Sequence, residues 1–254
     1  MSATSKPQAQ YLKDYQAPQF SIQHIDLRFE LAPLQTSVQS TMTINRTDES
    51  NSDLALDGVD LTLISVVVDD KAYDDYTLED EKLIIHNLPE NFILKIENHI
   101  DPQTNTSLEG LYLSGGAYCT QCEAEGFRKI TYYLDRPDVL ASFDVTIIAD
   151  KKYTHLLSNG NQIEAGNLDD GRHFVKWQDP FKKPSYLFAL VAGDFDVLRD
   201  HYTTKSGRNV ELALFVDKGN LSKTPHAMTS LKKSMRWDEE RFNLEYDLDI
   251  YMIV

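Results

Sequence analysis

From Phe20 the chain alternates. Phe20, Ile22, His24 and Asp26 point one way, Ile25, Leu27, Phe29 and Leu31 the other, and the run stops at Pro33. A period of two predicts a strand. Residues 38–46 alternate again, with Val38, Ser40, Met42 and Ile44 on one side, and residues 54–56 lead to a turn at Asp57-Gly58. Residues 61–68, 82–86 and 92–100 continue the pattern as short, β-branched or alternating runs, which predicts a meander of antiparallel strands.

Further strands are predicted at 143–149, 155–158, 163–165 and 173–178, with turns at Asn159-Gly160 and Asp170-Gly171. Residues 186–195 are almost continuously apolar, as in a strand covered on both faces. Residues 198–204 and 209–216 predict a hairpin across Lys205-Ser206-Gly207-Arg208.

Helical periodicity starts only near residue 225. Thr224 is placed to cap, Pro225 to take the first helical position, and Ala227, Met228, Leu231, Met235 and Phe242 recur on one side, which predicts a helix over 225–242. Residues 248–254 read as a strand buried on both faces.

The pattern therefore predicts a mainly β protein built on a twisted antiparallel sandwich or saddle. Its expected divisions are a polar, flexible arm at 1–16, a β domain at 17–195, and at 196–254 a hairpin, helix and strand too small to bury their own apolar faces. That last unit reads as the beginning of a second domain, and a chain stopping inside a buried strand is expected to be a fragment. No internal repeat suggests a solenoid or propeller.

Forty acidic against 25 basic residues give a net charge of −15. That balance argues against nucleic acid, whose phosphates require Lys and Arg, and favours cationic ligands. No run is apolar and long enough to span a membrane, and residues 1–19 lack the apolar centre of a signal peptide. A cytoplasmic location without membrane association is expected, in keeping with only two cysteines.

The chemistry concentrates in residues 115–137, GGAYCTQCEAEGFRKITYYLDRP. If residues 120–125 run extended, Gln121, Glu123 and Glu125 share a face while Cys122 turns away. With no cation before Arg128, such a cluster of acceptors suits a ligand with several donors, such as a protonated amine. A polar loop of solvated carboxylates is the plainer reading of the same residues, and they do not choose between the two. An aromatic strand should follow, up to Asp135-Arg136-Pro137.

Cys119 and Cys122 form a lone C-x-x-C. A redox pair or half a zinc site would use that spacing, but no second pair follows, and two free thiols are expected. The seven histidines are scattered, none three or four apart, so metal ligands are not expected among them. No serine-nucleophile or phosphate-loop motif is present.

The segments TQCEAEGFR (120–128), ITYYLDRPDVLASF (130–143), LSNGN (157–161), KPSYLFALVAGDFD (183–196) and MRWDEERFNLEYDLDIYMIV (235–254) together resemble the N-terminal part of the M1 family of zinc aminopeptidases, in its bacterial aminopeptidase N branch. The likeness runs from about Tyr15 onward. It implies a saddle-shaped β domain followed by the start of a thermolysin-like catalytic domain. It also implies that Gln121 and Glu123 hold the free α-amine of a peptide substrate; the motif assigns nothing to Glu125.

The family's Gly-x-Met-Glu-Asn loop and H-E-x-x-H zinc helix do not occur in these 254 residues. The resemblance accordingly implies zinc in a full-length, monomeric enzyme acting on peptide N-termini, and no metal bound to this chain, which is expected to be inactive alone. A complete, non-catalytic β-domain binding module is the alternative.

Overall fold

The computed structural model describes residues 11–47 and 53–254. As far as residue 10, the arm expected at 1–16 lies outside the described residues. Tyr15 and Gln16 are tied to the body, the Tyr15 hydroxyl donating to Asp138 Oδ2 (2.9 Å) and Gln16 O accepting from Arg136 Nη2 (2.8 Å).

The first strands are β1 (Phe20–Glu30), β2 (Thr36–Arg46), β3 (Leu54–Asp57), β4 (Thr62–Val68), β5 (Lys71–Ala72), β6 (Tyr76–Glu79), β7 (Lys82–Ile85) and β8 (Asn91–Ile100). Then come β9 (Gly110–Ser114), β10 (Ala117–Gln121), β11 (Ala141–Asp150), β12 (His155–Ser158), β13 (Asn161–Asn167), β14 (Arg172–Lys183) and β15 (Leu190–Gly193). β16 (Asp196–Thr203), β17 (Asn209–Val216), α1 (Pro225–Phe242) and β18 (Ile250–Ile253) complete the described elements. The protein is mainly β, as predicted.

The strands do not form one meander. An eight-stranded sheet runs β13-β14-β11-β1-β2-β8-β4-β5, and within it β1 and β11 are parallel neighbours. There are also a four-stranded sheet, β12-β15-β10-β9, and two three-stranded sheets, β3-β7-β6 and β16-β17-β18. The Trp177 indole, 2% exposed, donates to Leu156 O at 2.9 Å and so joins the largest sheet to β12.

β1 corrects the simple alternation. Its register against β2 shifts between Ile22 and His24, and this bulge carries Phe20 and Ile22 to the same buried side as Ile25, Leu27 and Phe29. One extra residue in a strand exchanges its faces.

Four other expectations are corrected. The apolar run 186–195 is not one strand: residues 185–187 form a single 3-10 turn, Leu187 is half exposed, and only β15 is extended. Residues 130–134 form no aromatic strand. They pack as irregular chain with one bridge, Tyr133 to Asp57, and Tyr132 and Tyr133 are both buried.

Thr224 stands at the N-cap of α1 but makes no side-chain capping bond; its hydroxyl turns back to Leu221 O. β18 is not buried on both faces either. It is an edge, parallel to β17, with every residue partly or fully exposed.

Most of the core is one cluster running from Phe20 to Phe215. A smaller cluster, including Tyr202, Val210, Leu212, Leu214, Met228, Leu231 and Met235, lies between α1 and β17. Alternation in β17 explains both, since Ala213 and Phe215 belong to the main cluster while Val210, Leu212 and Leu214 meet the helix.

The helix seam ends differently from its pattern. Glu239 is buried, accepting from the Tyr202 hydroxyl (2.8 Å) and Lys205 N (3.2 Å) at the hairpin turn. Phe242, beyond that turn, is exposed against Trp237. No described helix is long and apolar enough to cross a membrane.

Candidate functional site

β10 places the candidate site. Its last residue, Gln121, pairs with Gly110 of β9. The Thr120 hydroxyl donates to Leu190 O (3.1 Å) and accepts from Leu190 N (2.8 Å), so β10 is locked to β15 just before the chain turns. Residues 123–126 then form a tight turn closed by Gly126 N donating to Cys122 O at 2.8 Å, and the Glu123–Ala124 peptide is cis.

The extended face expected over 120–125 thus ends at Gln121. Cys122 is 2% and Phe127 0% exposed, and the chain has to reverse between them to return both to the core. Phe127 meets Tyr133, Phe188 and Phe143 at ring-centroid distances of 4.9, 5.3 and 6.1 Å. Gly126 makes the reversal possible, because a Cβ there would lie 2.3 Å from Gln121 O and 3.0 Å from Cys122 Cα.

Gln121 and Glu123 are brought together and both are exposed. Gln121 Nε2 donates to Glu123 O at 3.0 Å. A backbone carbonyl can only accept, so this bond faces the amide nitrogen inward and leaves Gln121 Oε1 as the outward acceptor. Among the described residues, none donates to that oxygen or pairs with the Glu123 carboxylate. Glu125 does not join them; its Oε2 lies 3.5 Å from Arg128 Nη1.

Arg128 is otherwise committed to Asp135, which is 3% exposed. Arg128 Nε and its backbone N donate to Asp135 Oδ2 at 3.0 and 3.2 Å, and Nη2 donates to Asp135 O at 3.0 Å. The Ser185 hydroxyl donates to the other carboxylate oxygen at 2.6 Å. Burial alone would lower the Arg128 pKa, but the bond to Asp135 and the negative charges of Asp57, Asp135 and Glu125 outweigh it and the net direction is up. The nearest cation to Glu123 in sequence is therefore already balanced by other carboxylates.

Sequence reasoning did not give Asp135 or Ser185 a part. Asp135 was visible only as the start of an Asp-Arg-Pro turn, and its partner Ser185 lies 50 positions away.

Cys119 and Cys122 are free, half-buried and buried respectively. Burial pushes both thiols up, with Asp217 adding to it at Cys119 and Asp135 at Cys122. A reactive dithiol requires the opposite shift. Among the described residues no three His, Cys, Asp or Glu side chains are grouped to hold a metal ion.

Two cavities lie away from Gln121 and Glu123. One of about 330 Å³ is lined by Leu157, Val191, Tyr246, Ile250 and Met252 among others. The second, about 370 Å³, includes His155, Trp177, Arg199, Glu211 and Asp249.

Residues 16–187 match the Peptidase M1 N-terminal domain family. Among curated relatives, the chain is 62% identical over 252 residues to aminopeptidase N of Escherichia coli (strain K12), and 52% identical over 253 residues to aminopeptidase N of Caulobacter vibrioides; each alignment covers 99% of this chain. It spans 29% of the length of both relatives.

Among solved structures, Legionella pneumophila aminopeptidase A in complex with aspartic acid superposes with a TM-score of 0.90 at 38% identity, over 96% of this chain and 29% of that one. An M1 zinc metallopeptidase of Deinococcus radiodurans, bound to a Tyr-Ser-Ala substrate, shares the fold at a TM-score of 0.78 and 16% identity, over 92% of this chain and 56% of that one.

Proposed function

The chain belongs to the Peptidase M1 N-terminal domain family, and from that premise we propose that it carries the amine-recognition part of an aminopeptidase that removes N-terminal residues from peptides. The observation that carries the reading is the pair of outward acceptors, Gln121 Oε1 and the Glu123 carboxylate, linked through Gln121 Nε2 and Glu123 O. A protonated α-amine has three donors and one positive charge. A carboxylate supplies the counter-charge and an amide oxygen a directional acceptor.

The same geometry gives exopeptidase selectivity. Held at fixed distance from the reacting carbonyl, a counter-charge for the free amine restricts cleavage to the first peptide bond. Residues 17–195 would form the recognition domain and 196–254 would open the catalytic one, a division supported by the separate cluster between α1 and β17. We place the protein in the cytoplasm, acting on peptides as a monomer.

Zinc, which the Deinococcus radiodurans M1 metallopeptidase carries in its name, would polarise the scissile carbonyl and activate water. The described residues of this chain do not fit it, having no cluster that could ligate a metal. On this reading the metal half comes from polypeptide outside residues 1–254, and this chain alone has no peptidase activity.

The test is Glu123→Ala in the full-length protein. Loss of a charge-assisted contact predicts a fall in kcat/KM of about 10- to 100-fold on unblocked aminoacyl substrates. Unchanged kinetics in the folded variant would refute the amine site.

A further inference from the structure

The amine site proposed above depends on the placement of one exposed turn, and little touches that turn from outside. Its anchors are internal. On the leading side, β10 is held through Thr120 and Leu190. On the trailing side, the first polar anchor is the backbone N–H of Arg128, which donates to Asp135 Oδ2.

Asp135 is a fixed point. At 3% exposure it cannot trade its protein donors for water, and its two oxygens accept from Arg128 N, Arg128 Nε and Ser185 Oγ. A carboxylate so buried is tolerated because it is paired and hydrogen-bonded, and removing one partner would leave an uncompensated charge. The guanidinium fork adds direction, since Nε reaches the carboxylate and Nη2 the Asp135 carbonyl. Ser185 carries the anchor into the turn just before β15, the strand that also holds Thr120. Both ends of the Glu123 turn are therefore tied to residues 185–190, and Arg128 O in addition accepts from Val59 N at 2.9 Å.

Arg128 also acts on the charge at the site. Its Nη1 lies 3.5 Å from Glu125 Oε2, so of the two acidic side chains on the turn only Glu123 is left without a cation. One free carboxylate matches the single charge of one ammonium.

We infer that Arg128 and Asp135 are positioning residues for amine recognition: with Ser185 they fix the backbone that follows the turn, and Arg128 withdraws Glu125 so that Glu123 alone meets the substrate's ammonium group. Neither touches the substrate. The inference rests on the amine reading of Gln121 and Glu123.

The experiment uses the full-length protein with four variants: Glu123→Ala, Arg128→Lys, Ser185→Ala, and Glu123→Ala combined with Arg128→Lys. Arg128→Lys keeps the charge but loses the fork, and Ser185→Ala removes one bond with little change in volume, so both should fold even where Asp135→Ala would not. Folding is checked by Tm. kcat and KM are measured on an unblocked aminoacyl anilide, and inhibition by a competitive hydroxamate lacking an α-amine is measured alongside.

Arg128→Lys is expected to lower kcat/KM for the anilide by about 10- to 100-fold, the scale of a small misplacement, mostly through KM, with Ser185→Ala shifted less in the same direction. Affinity for the amine-less hydroxamate should not change. Added to Glu123→Ala, Arg128→Lys should cost less than it does alone, because the charge it positions is already gone.

Folded Arg128→Lys and Ser185→Ala proteins with wild-type kinetics, beside an impaired Glu123→Ala protein, would overturn the inference and leave the amine site standing. A parallel loss of hydroxamate affinity would make the role merely structural and also overturn it. An unimpaired Glu123→Ala protein would remove the amine reading itself.

Discussion

The turn after β10 and the strand β18 are both surface features, and they are held in opposite ways. The turn is polar and exposed, yet it runs directly into buried Phe127 and into Arg128, which is bonded to buried Asp135 and through it to Ser185. β18 is apolar, yet it is an edge with a single neighbour and no fully buried residue. Exposure therefore does not measure how firmly a segment is placed. What does is whether its backbone is tied to groups that have no alternative partner in water.

The sharpest way to break this contrast is to remove the support beneath the turn. Phe127→Ala should cost about 3–5 kcal/mol, the range for deleting a fully buried aromatic ring, with urea denaturation as the measure. A cost near that of a surface change would mean that the turn is carried by its hydrogen bonds alone.

Next comes the smaller unit of β16, β17 and α1. Tyr202→Phe removes one of two donors to the buried Glu239 carboxylate and should cost about 1–3 kcal/mol in the same measurement. If it is neutral, the helix seam is set by Met228, Leu231 and Met235 alone.

A milder effect belongs to the contact of β12 with β17. His155 lies 6.2 Å from Phe195 and 5.2 Å from Phe215, ring centroid to centroid. Burial pushes its pKa down, Arg199 and Lys218 add to that, and Asp194 opposes it. The folded state thus prefers the neutral ring. Above the ordinary histidine pKa of about 6.5 the ring is neutral whether the chain is folded or not, and below it the unfolded chain takes up the proton first. Stability should therefore fall as pH drops below about 6.5, with the Tm advantage of wild type over His155→Gln shrinking between about pH 7 and 5. A constant difference would show that the ring is as well solvated in the folded state as out of it.

The smallest change is expected at Trp237, 56% exposed beside Phe242. Trp237→Gln should leave stability within about 0.5 kcal/mol, and a larger loss in thermal unfolding would mark this pair as part of the α1 packing.

Much of the fold was legible because strands and helices announce themselves locally. The alternation in β2 and β8, the Gly207 hairpin and the 18-residue helix α1 were all visible in the sequence. Several of the misreadings share one cause, which is that the deciding neighbour lay far along the chain. A bulge in β1 set against β2 changed which side was buried, and the parallel pairing of β1 with β11 joins residues about 120 positions apart. Thr224, Phe242 and the run before β15 obeyed local rules that their surroundings overrode.

The candidate site divides in the same way. Spacing alone grouped Gln121, Glu123 and Glu125 as acceptors and left a solvated loop as open a reading; the resemblance to the M1 family singled out Gln121 and Glu123. By itself the sequence determined the strand-rich architecture, the acidic balance and the types of acceptor available, since all of these depend on residue type and short-range spacing. Only the tertiary structure decided that Gln121 bonds the Glu123 backbone, that Glu125 turns to Arg128, and that a buried Asp135 joins Arg128 to Ser185. Burial converts such distant partners from options into requirements, because a charge withdrawn from water has to find its counterpart within the protein.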